Sequence, residues 1–193
     1  MKKFIILTTN VTLALVFLLG VFWGQAGAKV PKKKTLRASA DIFSCAGDDS
    51  ILGTAVLKEK KSTEGIKQVA IKMIVKGLSE GQHAVHIHET AACEISCGAT
   101  QGHFDPGPNS NTNPDGNHPF HMGDLVNIEV NKGVGVMHTR TSRITLSPGP
   151  LSIFDTDGSA FIIHVNPDTY CPDGSVPGCA GGARAACGNI YLD

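Results

Sequence analysis

Two histidines two residues apart, His86 and His88, are the residues of this sequence whose type and spacing best suit chemistry. In a β-strand successive side chains point to opposite faces, so residues two apart lie on one face. Imidazole is a preferred ligand of copper and zinc. The spacing therefore predicts half of a metal site, and the rest of the chain must supply the other half.

The remaining imidazoles lie mostly around a long Gly-, Pro- and Asn-rich segment over residues 89–123. A lone histidine is usually an ordinary packed or surface residue. Here His103, His118 and His121 fall in one segment, with Asp124 directly after it and His164 further on. A carboxylate beside several imidazoles is compatible with zinc as well as copper. The composition of this region therefore favours a metal site.

Short β-branched runs separated by Gly, Pro, Asn and Asp must position these ligands. Such a pattern predicts an all-β protein, an antiparallel sandwich or barrel. The candidate strands cover residues 51–58, 68–75, 84–88, 125–130, 135–139, 144–146, 161–165 and 190–192. Two segments without strand character, 89–123 and 166–186, are long enough for us to expect functional loops. Helical periodicity is absent beyond the N-terminal segment.

The first 28 residues read as a secretory signal peptide: two lysines, an apolar run over residues 4–23, then Ala-Gly-Ala ending at Ala28. We expect cleavage after Ala28. The alternative is an uncleaved membrane anchor, because the apolar run is long enough to cross a bilayer. Either reading predicts an exported domain, in the periplasm, at the cell surface or secreted. Residues 29–38 then form a flexible basic leader, and residues 39–193 form the domain.

Charge and cysteine content narrow the class of protein. The chain has 17 Lys and Arg against 17 Asp and Glu, with no basic stripe or aromatic array along the sequence. Nucleic acid is therefore not an expected partner. Its six cysteines all follow the N-terminal segment, and an even number in an exported chain indicates disulfides. Sequence alone does not choose among their pairings.

Five motifs occur in order and resemble the copper/zinc superoxide dismutase family, particularly its exported bacterial members. They are Gly-Gln-His-Ala-Val-His-Ile-His-Glu at 81–89, Gly-His-Phe-Asp-Pro at 102–106, His-Met-Gly-Asp-Leu at 121–125, His164, and Gly-Ala-Arg-Ala-Ala-Cys-Gly at 182–188. The resemblance implies a Greek-key, eight-stranded antiparallel β-barrel with two long functional loops. It also implies copper and zinc as cofactors, superoxide anion as substrate, and dismutation to dioxygen and hydrogen peroxide.

The resemblance also implies a role for each matching residue. Copper would be bound by His86, His88, His103 and His164. Zinc would be bound by His103, bridging the two metals, and by His121 and Asp124. His103 would take up and return a proton during the cycle, and Arg184 would attract and orient the anion beside the copper. Asp168 would connect ligands of the two metals, and His83 would close the barrel.

One position departs from the family pattern. The third zinc histidine of the family usually lies midway between the positions of His103 and His121, and here that region has none. His118 is the unassigned imidazole of the segment, and we expect it to complete the zinc set. The alternative is an exposed His118 and a zinc site that is incomplete or completed by water. His138, on a predicted strand, matches no motif and is expected at the surface.

The family also suggests how the cysteines pair. Cys93 matches a cysteine that bonds to the Cys187 position in bacterial relatives. Cys171 and Cys179 could close a local loop, which would leave Cys45 and Cys97. A metal-binding protein without enzymatic activity on the same fold is the alternative function. Nothing in the sequence indicates whether the domain is a monomer or a dimer.

Overall fold

A computed structural model describes residues 35–48, 50–94, 97–107, 118–172 and 176–193. The predicted signal peptide and residues 29–34 of the predicted leader lie outside these described residues. Within the described part of the chain, no helix is long and apolar enough to cross a membrane.

The described residues form strands joined by loops, with one 3-10 helix at Cys97–Thr100. In chain order the strands are β1 Arg37–Ser44, β2 Ile51–Lys61, β3 Lys67–Lys76, β4 Gly81–His83, β5 Val85–His88, β6 Ile128–Asn131, β7 Val134–Thr141, β8 Ala160–His164, β9 Arg184–Asn189 and β10 Tyr191–Leu192.

The strands pair antiparallel in the order β4-β6-β7-β3-β2-β1-β9-β8-β5, and β10 pairs with β1. Only Ala84 separates β4 from β5, so the order begins and ends on the same stretch of chain and the sheet closes on itself. Counting β4 and β5 as one interrupted strand, and setting aside the two-residue β10, gives eight strands. The predicted all-β antiparallel barrel is confirmed.

The core follows from alternation along each strand. In β3, for example, Val69, Ile71, Met73 and Val75 point inward and are buried. The largest side chains without exposed surface include Phe104, Phe161, Ile42, Leu57 and Ile163. Burial of each such side chain contributes roughly 1.5–3 kcal/mol. This core fixes β5 and β8, which carry three of the predicted metal ligands.

Several element boundaries differ from the sequence prediction. The strand predicted at 84–88 corresponds to β5, and Ala84 separates it from β4, which was not predicted; β4 pairs with β6 whereas β5 pairs with β8. The prediction of a strand at 144–146 is wrong: this segment makes one bridge, Thr145 to Ser152, although Ile144 and Leu146 are buried. β9 begins at Arg184, inside the segment predicted to be a loop through residue 186.

The closure of the barrel involves His83. Its Nδ1 lies 2.8 Å from the carbonyl oxygen of His164, and its Nε2 lies 2.9 Å from that of Ser79. The ring is buried and joins the end of β8 to the turn before β4. His83 thus lies at the closing seam of the barrel and takes no part in the histidine clusters described below.

Three disulfides join Cys45 to Cys97, Cys93 to Cys187, and Cys171 to Cys179. The Cys45–Cys97 bond attaches the segment after β5 to the turn after β1, and the Cys93–Cys187 bond attaches the same segment to β9. The third closes a short loop within the segment between β8 and β9.

Candidate metal centre

Four histidines converge on one point and are called the imidazole cluster: His86, His88, His103 and His164. β5 and β8 are neighbours in the barrel, which places the histidines of these two strands side by side. His103 reaches them because its segment folds back along β5 and bridges to His88. One ring nitrogen from each histidine lies within 4.8 Å of those of the other three.

The converging nitrogens have no hydrogen-bond partner. They are His86 Nδ1, His88 Nε2, His103 Nε2 and His164 Nε2, all buried. Buried polar atoms are nearly always paired, and leaving them unpaired costs free energy. Four unpaired imidazole nitrogens directed at one point form a donor set that suits copper.

The opposite nitrogen of each ring is fixed by a partner. His88 Nδ1 donates to the Gln101 carbonyl at 2.8 Å, and His164 Nδ1 donates to the Gly182 carbonyl at 2.8 Å. His86 Nε2 lies 3.0 Å from an Asp168 oxygen. Such contacts set the tautomer and orientation of a ligating imidazole.

Burial keeps the imidazole cluster uncharged. It lowers the pKa of His86 to about 3 and that of His164 to about 4, with further lowering from neighbouring His103. It also holds the pKa of His88 well below the ordinary value. Neutral imidazole is the form that binds metals, so these residues are ready to bind at neutral pH.

A second group, called the carboxylate cluster, surrounds Asp124 and comprises His103, His118, His121 and Asp124. Asp124 Oδ1 lies 2.7 Å from His103 Nδ1 and 3.2 Å from His118 Nδ1, and its Oδ2 lies 3.3 Å from His121 Nδ1. All four side chains are buried. Three imidazole nitrogens and one carboxylate form a donor set that suits tetrahedral zinc.

His118 therefore lies within this cluster, and the alternative of an exposed His118 is wrong, because only 4% of its surface is exposed. Burial favours the neutral ring, but the bonds to Asp124 and Asp168 outweigh it and raise the pKa of His118 to about 9. Hydrogen bonds with His103, His118 and His121 hold the pKa of Asp124 well below its ordinary value despite burial. In the metal-free protein the His118 ring therefore favours its protonated form at neutral pH.

Asp168 connects the two clusters. Its Oδ2 lies 3.0 Å from His86 Nε2 and 2.7 Å from His118 Nε2. Burial alone would raise its pKa, but the bonds to both rings lower it. Asn127 holds Asp168 in place, because its side-chain amide exchanges two hydrogen bonds with the Asp168 backbone at 2.7 and 3.0 Å.

Arg184 lies opposite His164 in the β8–β9 pair, beside the imidazole cluster. Its guanidinium donates to the Thr100 hydroxyl at 2.8 Å and to the carbonyls of Cys97 and Gln101. The residue is half-buried, and burial lowers its pKa from the ordinary value. The Cys45–Cys97 and Cys93–Cys187 disulfides attach the loop that binds the guanidinium to the turn after β1 and to β9.

Sequence reasoning did not identify Gln101, Asn127 or Arg143. Gln101 offers one carbonyl to both His88 and Arg184. Arg143 donates to the carbonyls of Pro119, His121 and Asp124 at 3.0, 3.1 and 2.8 Å, and so holds the segment of the carboxylate cluster. None of these residues lies in a recognisable motif, and Gln101 acts through its main-chain carbonyl, which any residue type provides.

The family model described as copper/zinc superoxide dismutase (SODC) matches residues 51–190. The chain belongs to the copper/zinc superoxide dismutase family. It is 34% identical over 161 residues to "Superoxide dismutase [Cu-Zn] 2" of Aquifex aeolicus, an alignment that covers 80% of this chain and 86% of the relative. It is 37% identical over 124 residues to "Superoxide dismutase [Cu-Zn]" of Legionella pneumophila, covering 63% of this chain and 70% of the relative.

A solved structure of a SOD-like protein from Bacillus subtilis also matches this superoxide dismutase family member. The sequence identity is 28%, the TM-score is 0.61, and the alignment covers 79% of this chain and 97% of the Bacillus chain. Family membership confirms the predicted cofactors, copper and zinc, and the donor sets of the two clusters fit them.

Proposed function

We propose that this chain converts two superoxide anions and two protons into dioxygen and hydrogen peroxide, with copper bound by the imidazole cluster and zinc by the carboxylate cluster. The observation that carries the proposal is the set of four buried imidazole nitrogens without partners, directed at one point beside Arg184. Bound copper supplies one-electron redox chemistry, which zinc cannot supply because it has no accessible redox state.

Arg184 attracts and orients the anion. Hydrogen bonds to the loop hold its guanidinium in place, and its partly exposed position leaves positive charge at the entrance to the imidazole cluster. A cation in a partly enclosed site concentrates field lines and can raise association rates by about 10–10³. Arg184 also favours neutral His88 and His164, because its charge lowers the pKa of both.

His103 is the residue we assign to proton transfer, because it belongs to both clusters. Its Nδ1 is bound to Asp124 while its Nε2 faces the imidazole cluster without a partner. Burial lowers the pKa of the free ring, so a proton taken up at Nε2 is readily passed on to the reduced product. This residue supplies one proton for each peroxide formed.

His118 fills the position of the third zinc imidazole in this proposal. Two observations support the assignment: Nδ1 faces Asp124, and Nε2 is bound to Asp168. A ligand whose second nitrogen is fixed by a carboxylate is typical of zinc sites. In this proposal the third zinc imidazole lies later in the loop than in the family pattern.

Export of the protein is also part of the proposal, with residues 1–28 acting as a cleaved signal peptide. Three disulfides support an oxidising compartment. One relative, 31% identical over 130 residues, is named an extracellular superoxide dismutase of Drosophila melanogaster.

The test compares His164→Ala and Arg184→Gln in metal-loaded protein, with His138→Ala as control because His138 is exposed on β7. We expect His164→Ala to lose copper and reduce dismutation at least about 1,000-fold. Arg184→Gln should retain copper but slow dismutation by roughly tenfold and weaken its dependence on ionic strength. Copper-loaded wild-type protein without dismutase activity, or His164→Ala with normal copper content, would overturn the proposal.

A further inference from the structure

The outer face of the barrel wall formed by β1, β2, β3 and β7 carries a concentration of positive charge. Antiparallel register places residues that face each other on the same side of a sheet. One row across these strands consists of Arg37, Lys58, Ala70 and Arg140, and the adjacent row consists of Ser39, Val56, Lys72 and His138. Lys60, opposite Gln68, begins the next row.

The six basic residues of these rows form what we call the cationic face: Arg37, Lys58, Lys60, Lys72, His138 and Arg140. No acidic side chain occupies a position within the rows. The acidic boundary lies at Asp41 and Glu129, the two ends of the following row, and at the C-terminal Asp193, which accepts a bond from Ser39. Within the described residues, none of the six forms an ion pair. These cations are dispersed in sequence and gathered only by strand pairing, so they form no basic stripe along the sequence.

This arrangement is costly for the free protein. Arg37 lies directly opposite Lys58. Like charges directly opposite each other destabilise an antiparallel pair. Ala70 lies between Lys58 and Arg140, so a side chain too small to fill the space leaves a shallow groove of about 720 Å³ among the cations. An anionic partner would remove the repulsion and occupy the groove.

The surroundings of the face favour a lipid surface as that partner. Beside the cations, Val56, Ile74 and Val136 are 37%, 37% and 49% exposed. A sheet face with cations and small apolar side chains is suited to the interface of an anionic bilayer, where phosphates and upper acyl chains are both present.

The sequence before β1 adds a second argument. Arg37, the first residue of β1, belongs to the cationic face, and Lys29, Lys32, Lys33 and Lys34 precede it within eight residues. The apolar run at 4–23 lies only a short stretch of chain before these lysines. The sequence therefore adds four lysines directly before the first residue of the cationic face.

We propose that the cationic face docks the domain on an anionic phospholipid bilayer through the lipid headgroups, whether or not residues 1–28 are retained. The strands of the face lie at the middle of the barrel order, whereas β5 and β8, which carry the imidazole cluster, lie at one end. Arg184 lies on β9, which pairs with β1 at Phe43 and Ser44, the end of β1 away from Arg37, so docking leaves Arg184 open to solvent.

The experiment uses the protein that begins at Lys29, because the barrel, its core and all six cysteines lie after the leader. Sedimentation with vesicles compares phosphatidylglycerol mixed with phosphatidylcholine against phosphatidylcholine alone. We expect binding to the anionic vesicles only, and its loss between about 0.1 M and 0.5 M salt. Lys72→Gln with Arg140→Gln should weaken binding by roughly tenfold or more.

A matched control removes two charges elsewhere, with Lys76→Gln and Lys132→Gln, at the end of the sheet away from the cationic face. This pair should weaken binding less than about threefold, and both double variants should retain wild-type dismutase activity. Equal losses in the two variants, or no binding to anionic vesicles, would overturn the proposal. So would retention by soluble sulfated polysaccharide or duplex DNA without vesicle binding, or a wild-type dimer that the Lys72 and Arg140 changes dissociate.

Discussion

The two clusters share His103 but are built in different ways. Three members of the imidazole cluster lie on β5 and β8, and their free nitrogens have no protein partner. In the carboxylate cluster the members come from the loop segment between β5 and β6, and their nitrogens contact Asp124. The first is fixed by the barrel, whereas the second is fixed by its own contacts. Strand-borne ligands are preorganised, and loop-borne ligands depend on neighbouring residues to hold them.

The protonation of the two clusters differs accordingly. Burial lowers the pKa values of the imidazole cluster, so its rings are neutral and ready to bind. In the carboxylate cluster, Asp124 and Asp168 raise the pKa of His118 to about 9, so a bound proton must be released when a metal enters. The difference predicts that copper and zinc binding respond differently to substitution and to pH.

Removal of His118 is expected to give the largest difference between the effects on zinc binding and on copper binding. His118→Ala deletes one imidazole of the carboxylate cluster but leaves every member of the imidazole cluster in place. We expect zinc affinity to fall by at least about 100-fold, with copper content nearly unchanged. Metal analysis after dialysis against a chelator measures both. Unchanged zinc content would remove His118 from the site and restore the water-completed alternative.

The sequence predicted the imidazole cluster better than the carboxylate cluster, for a physical reason. Strand alternation places His86 and His88 on one face, and this follows from local geometry alone. The position of His118 depends on how a long loop folds, and spacing within a loop does not determine distance. The resemblance to the family therefore left His118 as an expectation with an open alternative, whereas burial and contacts in the structure place it beside Asp124.

The elements that sequence reasoning missed have a related cause. The first three residues of β9 fall in the Gly- and Pro-rich segment that was predicted to be a loop, yet pairing with β8 and β1 makes β9 a strand. Arg143 belongs to no motif, and its importance comes from three carbonyls that only the fold brings together. Tertiary contacts, which a single sequence does not display, determine both.

Acid and alkali are expected to destabilise the metal-free protein through different clusters. The folded pKa values of His86 and His164 are about 3 and about 4, below the ordinary 6.5. At a pH between the folded and the ordinary value, the unfolded chain binds more protons than the folded chain. The free energy of unfolding therefore falls as pH drops from about 6.5 to 4. The folded pKa of His118, about 9, lies above 6.5, so its contribution is present below 6.5 and is lost as pH rises toward 9. Each of these histidines should change the folding equilibrium on the order of 100-fold across its pH range.

Urea unfolding of metal-free protein at several pH values tests this, with His118→Ala as the discriminating variant. The alkaline decline should disappear in His118→Ala while the acid decline remains, because the histidines of the imidazole cluster are unchanged. An alkaline decline that persists in the variant would show that His118 does not bind a proton in the folded protein.

The smallest expected effect concerns Arg143, which holds the loop of the carboxylate cluster without contacting either candidate metal position. Arg143→Gln removes donors to the carbonyls of Pro119, His121 and Asp124, so the loop should be less well held. We expect zinc affinity to fall by about tenfold and copper affinity to stay within about twofold. Arg140→Gln is the matched control, since Arg140 is exposed on the outer face of β7. Equal losses of copper and zinc in Arg143→Gln would mean that the barrel and the loop stabilise both clusters together, and the distinction between strand-fixed and contact-fixed ligands would be wrong.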